Sequence, residues 1–456
     1  MDRLMKRIGI IILISILLLV MSGCKQNGNQ KNGSQESNVT ESKETEEILY
    51  FRITWKAYSG RGEAINRIVN KYNDQSRIPY RIVITDGDED RVSIEKLLHN
   101  RGVAESTQTK EQDTGIDLYM LPYRYIQYFG NKNMLMELSD EFSAEKEIFY
   151  PSLWELSNVR GSLYGIPWLG HTMGLIYNKA LLDKAEVKPE DITDLASLVS
   201  ACEKVEKSTE AMGIGLVGAE HNDISWMINQ FIYGFGGSLV SDDGLSVTIN
   251  SDQSKEALRF YKDVLGPHAQ SSWKNDTGVE VMDAFRQQKI AFEIQGLWGI
   301  TDIWKNGNSF ETGVIPLETI NLYPEAGPMM IALPADLEKQ KAAAAVDFIR
   351  YLISEEAQEQ IMEGEYSPEK DTYYPFRLPV RMDSGNDDFF DTYPEFSKFL
   401  SGFNHPSIDV PTPLWQEIKD TYYAPGLHQV MLEEISIEDF LKNIEEQGNR
   451  ILNAVN

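Results

Sequence analysis

At 456 residues the chain is long enough for two or three domains around a large core. Its 42% apolar and 10% aromatic content excludes a disordered protein. A formal charge of −27 argues against nucleic acid and an anionic lipid surface as binding partners, and leaves an acidic, well-solvated exterior.

The N-terminus carries the first motif. Arg3, Lys6 and Arg7 precede an apolar run over 10–21, broken only by Ser15, and Ser22-Gly23-Cys24 follow. A basic head, a short apolar run and small residues before a cleavage point predict a signal peptide over residues 1–23. The run is short for the rival reading, an uncleaved membrane anchor. Cys24 directly after the small pair resembles the lipobox of bacterial lipoproteins, with Met21 where leucine is commonest. That resemblance implies that Cys24 becomes the lipidated first residue. Residues 25–46 hold almost nothing apolar, so 24–46 reads as the lipidated Cys and a flexible tether. The second cysteine, Cys202, shares a helical face with Leu195, Leu198 and Val199 and reads as a small core residue.

Residues 48–54 predict the first strand, ending at Trp55 and Tyr58. A helix follows, with Ile65, Ile68, Val69 and Tyr72 at i, i+3, i+4 and i+7, and then a second strand over 80–85. Strand, helix, strand opens a parallel α/β unit. Gly60 and Gly62 lack a third glycine at dinucleotide spacing, so no nucleotide fingerprint is present. The acidic run Asp86, Asp88, Glu89 and Asp90 reads as a solvated loop ahead of a ligand for hydroxyls or a cation. Residues 116–122 predict a third strand, delivering Tyr123, Arg124 and Tyr125 to its end, after an unusually polar insert over 102–114.

The stretch 164–179 organises what comes next. Pro167 fixes its own φ and pushes Ile166 towards an extended conformation. Trp168 and His171 stand among glycines before a short apolar strand at 174–177 and a helix over 180–184. A helix is then predicted over 195–205, a strand over 213–217, and an aromatic, glycine-rich segment over 226–237. Helices over 251–265 and 282–287 and a strand over 290–294 follow, ending at Gly296 and Trp298. Residues 324–334 read as loop and extended chain, 341–362 as a helix broken near Ser354, 373–379 as extended, and the remainder from Pro394 as mostly helical. The pattern is α/β, with aromatics at strand ends, where ligands of open α/β sheets sit.

Several segments together resemble the carbohydrate-type extracellular solute-binding proteins of ABC importers, the family of maltose- and oligosaccharide-binding proteins. They are Tyr164-Gly-Ile-Pro-Trp168 with Leu175-Ile-Tyr-Asn-Lys179, Phe285-x-x-x-Lys289-x-Ala291 with Gly296-x-Trp298, residues 344–358, Leu378-Pro-Val-Arg381, and Pro413-Leu-Trp415-x-Glu417-Ile418. Phe292-Glu293 departs from the small residue and Met usual before the Gly-x-Trp turn. The resemblance covers about residues 48–456. It implies a two-lobed periplasmic-binding-protein-like fold, each lobe a mainly parallel sheet flanked by helices. Lobe I would be 47–168 and 330–376, lobe II 169–329 and 377–456, with crossings near 167–172, 327–333 and 374–379.

Sugars offer hydroxyl edges and apolar C–H faces, so a sugar site needs flat aromatics beside hydrogen-bonding side chains. Trp298 and Trp168 lie on the family's cleft motifs. Trp55, Trp226, Tyr58 and Tyr123 fall at predicted strand ends or loops, and Gly296 leaves room beside Trp298. The polar candidates are His171 and Thr172 at the crossing, Arg124 after the third strand, and Asn229 near Trp226. For each aromatic, core packing is the competing role. The family implies capture of a sugar or oligosaccharide for transmembrane permease subunits by a lipid-anchored monomer on the outer face of the bacterial cell membrane. It implies no catalysis, cofactor or metal. A receptor for a polyamine, an anion or another non-sugar solute is the nearest rival. A lipid-anchored glycosidase is the more distant one, because 70 acidic residues supply pairs of carboxylates but no motif selects one.

Overall fold

The computed structural model describes residues 47–76, 78–104, 115–305, 310–384 and 387–454. The signal peptide, Cys24, the tether and most of the insert 102–114 lie outside the described residues. Two sheets organise the chain. The strands β1 (Glu47–Ile53), β2 (Tyr80–Asp86) and β3 (Leu118–Pro122) run parallel, with β1 between the other two. A two-residue hairpin, β4 (Asn158–Val159) and β5 (Ser162–Leu163), leads into β6 (Ile166–Leu169). The strands β7 (Met173–Asn178), β8 (Met212–Gly215), β9 (Ile290–Gly296) and β10 (Thr312–Pro316) form the second sheet, in the order β10-β7-β9-β8. The chain then returns through β11 (Met329–Ala332), which completes the first sheet as β2-β1-β3-β11-β6, and a small hairpin, β12 (Glu365–Ser367) and β13 (Thr372–Tyr374), follows.

Each sheet holds one inverted strand. β11 is antiparallel to β3 and β6, and β7 is antiparallel to β9 and β10. Both are the strands reached directly after a passage from the other sheet. The remaining strands of each sheet share a direction, so the sheets are mixed at the level of neighbouring pairs.

Local chemistry accounts for the flanking helices. The helix Gly60–Gln75 starts where the Ser59 side chain accepts the Gly62 N–H, and it buries Ile65, Ile68, Val69 and Tyr72 as their spacing predicts. The helix Leu195–Ser208 opens on a reciprocal Asp194–Ser197 cap and buries Cys202 completely; burial pushes that thiol's pKa up. The break near Ser354 is real. Helices Lys339–Leu352 and Glu355–Glu363 meet there, and the Ser354 side chain caps the second. Several elements differ from the sequence reading, two of them helices that bear on the site. Residues 226–237 belong largely to a helix, Asn222–Gly234, and a further helix, Tyr123–Asn131, starts directly at the end of β3. Among the described residues no helix is long and apolar enough to cross a membrane.

Three chain passages lie side by side between the sheets. Gly170 and Leu378 exchange two backbone hydrogen bonds of 2.9 Å, Met173 donates to the Glu325 carbonyl at 3.0 Å, and Gly327 donates to the His171 carbonyl at 3.2 Å.

Candidate functional site

Parallel strands deliver their C-terminal ends to one edge, and the first sheet's edge carries polar and aromatic groups. Trp55 follows β1, Arg61 stands in the first turn of Gly60–Gln75, Glu89 follows β2, and Tyr123 and Arg124 follow β3. The second sheet contributes Gln295 and Trp298 from the end of β9, Asn222, Asp223 and Trp226 from the start of Asn222–Gly234, and Val279 and Met282 from the helix Gly278–Arg286. The three passages add His171, Glu325 and Arg377. Together these residues line a cleft of about 270 Å³. Glu89, Arg124, Asn222 and Asp223 also line an adjoining cavity of about 490 Å³, whose far wall carries Gln416, Lys419 and Asp420.

The cleft thus brings together Trp55, Tyr123, Arg124, His171, Trp226 and Trp298. The other sequence candidates go elsewhere. Trp168 is fully buried on β6 against Phe51, and its carbonyl accepts from Gln358. Thr172 is buried and donates to the Phe399 carbonyl at 2.6 Å. In an extended chain successive side chains point opposite ways, so His171 facing the cleft turns Thr172 away from it. Asn229 lies one turn deeper than Trp226 and is spent on Asp409 and Tyr423. Tyr58 is 78% exposed and does not line the cleft. Gly296 makes room for Trp298 itself, not for a ligand: a Cβ there would stand 2.3 Å from the indole.

The electrostatics are specific. Arg124 pairs with Glu89 at 2.9 Å; burial opposes its charge, but Tyr125 and Glu89 outweigh burial and raise its pKa. His171 Nε2 meets Glu325 at 3.0 Å, while its buried Nδ1 has no partner among the described residues. The His171 ring stands edge-on to Trp298, with centroids 5.3 Å apart. Burial opposes ionisation of Asp223, but hydrogen bonds from His221, the Gly278 N–H and Trp226 Nε1 hold its carboxyl below the usual range. Tyr123 accepts the Asp409 N–H at 2.8 Å, which ties the end of β3 to the C-terminal region, and burial pushes its phenol pKa well up. Arg377 lies 5.0 Å over the Trp55 ring and 4.9 Å over the Trp298 ring. Burial and the neighbouring Arg61 push its pKa down to about 9, so it stays charged at neutral pH.

Sequence reasoning missed Arg61, Asp223, Gln295, Glu325 and Arg377. The one usable signal was Arg377, a lone cation in the aromatic, proline-flanked segment Tyr373–Pro379. The acidic run divides its work. Asp86 accepts the Ala57 N–H, Asp88 pairs with Arg52, Glu89 holds Arg124, and Asp90 caps the next helix by accepting the Ser93 N–H.

Two α/β units sharing a cleft define a two-lobed binding-protein fold of the periplasmic type. The chain belongs to the bacterial extracellular solute-binding proteins, whose family model matches residues 102–397, and this places it outside the cytoplasm. A maltotriose-binding protein of Pyrococcus abyssi is 22% identical over 213 residues, a stretch spanning 45% of this chain and 42% of that relative. A maltose-bound binding protein of T. maritima superposes with a TM-score of 0.72 at 18% identity, covering 90% of this chain and 100% of that one. An ABC-transporter solute-binding protein of Thermotoga lettingae bound to α-D-tagatose gives 0.68 at 20% identity, covering 89% and 100%.

Proposed function

We propose that this chain captures a sugar or oligosaccharide in the cleft and hands it to the transmembrane permease subunits of an ABC importer. The observation that carries the reading is the pair of half-buried indoles, Trp55 and Trp298, in a cleft lined also by carboxylates, two amides, an imidazole and three guanidinium groups. Indoles cover the C–H faces of a pyranose, and the polar groups answer its hydroxyls. The adjoining cavity gives room for further sugar units. The relatives that bind maltotriose, maltose and tagatose support the same solute class.

The protein is a receptor and not a glycosidase. Hydrolysis needs one carboxyl held protonated opposite another, whereas Glu89 and Glu325 each meet a basic side chain and Asp223 is held ionised. Lobes of 47–168 with 330–376 and 169–329 with 377–456 close over the solute as a monomer. A lipid on Cys24 and the tether hold them at the outer face of the membrane. The test is a thermal-shift screen of mono- and oligosaccharides followed by calorimetry and product analysis. A cognate sugar at a hundred times its Kd stabilises the fold by about 2.7 kcal/mol. No stabilisation by any of them, or the appearance of shortened products, overturns the reading.

A further inference from the structure

Three cations are buried among the described residues: Arg52, Arg377 and Lys419. A buried charge is tolerated when something pairs with it. Arg52 pairs with Asp88, and Lys419 with Asp409. Arg377, 6% exposed, has no carboxylate within 4 Å among the described residues. Among those residues its one side-chain hydrogen bond runs from Nη1 to the neighbouring Phe376 carbonyl at 3.0 Å, and its buried Nε–H finds no acceptor. The contacts with Trp55 and Trp298 hold the guanidinium in the cleft but consume none of its N–H donors.

The nearby carboxylates are committed elsewhere. Glu89 serves Arg124, Glu325 serves His171, and Glu365 serves Lys305 and Arg61. The cleft therefore contains a largely buried fork of donors that no acid among the described residues fills. A guanidinium fork matches a carboxylate or a phosphate with two parallel N–H···O bonds. We infer that the solute is a carbohydrate bearing an anionic group, a uronate carboxylate or a sugar phosphate, which sits against Arg377 while its ring packs on the flanking indoles. The inference rests on the sugar reading and narrows it to acidic members of that class.

The test uses the full-length protein purified in detergent and calorimetric titration with paired panels. Neutral mono- and oligosaccharides are set beside their uronate and phosphate counterparts, which also separates a carboxylate from a phosphate. The acidic member of a pair binds about a hundredfold tighter than its neutral counterpart, the scale of one charge-assisted, bidentate contact. Arg377→Gln, shown by its melting curve to be folded, loses at least ten times more affinity for the acidic member than for the neutral one. Arg377→Lys keeps the charge without the fork and recovers part of the loss. If neutral sugars bind as tightly as acidic ones, this inference falls while the sugar reading stands. If neither panel binds, both fall.

Discussion

Glu293 sits in the middle of β9, 1% exposed, with both carboxyl oxygens unpartnered among the described residues. Burial, reinforced by Asp302, pushes its pKa up to about 8 from an ordinary 4.5. The folded protein therefore keeps a proton there that the unfolded chain releases. Between those two values the folded state binds more protons, so stability falls as pH rises through that window and levels off above it. Each pH unit is worth about 1.4 kcal/mol, and at pH 7 the accumulated cost is about 3 kcal/mol. Glu293→Gln keeps the shape and removes the titration. It is expected to be more stable than wild type by about 3 kcal/mol at pH 7 and nearly equal to it near pH 4. Denaturant unfolding at pH 4, 5.5, 7 and 8.5, followed by tryptophan fluorescence, measures the difference. Parallel pH profiles for the two proteins, or a variant less stable at pH 7, would refute a buried, protonated Glu293.

Trp298→Ala is expected to weaken sugar binding at least about tenfold, equivalent to 1.4 kcal/mol. Its stability should fall by less than the roughly 3–5 kcal/mol that accompanies truncation of a core aromatic; calorimetry beside melting curves separates the two, and unchanged affinity with a far lower melting point would make Trp298 a core residue. Cys24→Ser should release the protein from the membrane or leave the precursor uncut, which mass spectrometry of the membrane fraction reads directly; an intact Met1 on the membrane-bound wild type contradicts cleavage. A cognate solute touching both walls of the cleft should shift the population to a more compact form. Small-angle scattering with and without it should give a smaller radius of gyration, and an unchanged value at saturation counts against closure.

Much of the fold was legible because it is written in local periodicity. The i, i+3, i+4, i+7 spacing of Ile65 to Tyr72 and the apolar runs of β1, β3 and β9 name their elements without help from the rest of the chain. β11 was legible only as extended chain. It is four buried residues with no alternation, and it becomes a strand because β3 and β6 offer it two edges. The helix Tyr123–Asn131 was hidden because no polar loop separates it from β3. In the cleft, residue type was a good guide to aromatics at strand ends and a poor one to orientation, as the adjacent His171 and Thr172 make plain. Arg377 stayed unread because its meaning lies in the carboxylates that do not approach it, and their neighbours are set by tertiary structure alone.

The placement of β11 bears on how the molecule is made. Residues 47–169 supply four strands of the first sheet, yet β3 and β6 cannot be joined until Met329–Ala332 arrives, after the whole second sheet. A chain emerging from its N-terminal end therefore carries open strand edges for about 160 residues of synthesis, the span between β6 and β11. Pairing at such separation is slow, because loop closure precedes any gain from the contacts. Delayed completion is a hazard for a protein that folds where it is made. For one that works outside the cytoplasm, it keeps the chain threadable until its last core strand is across.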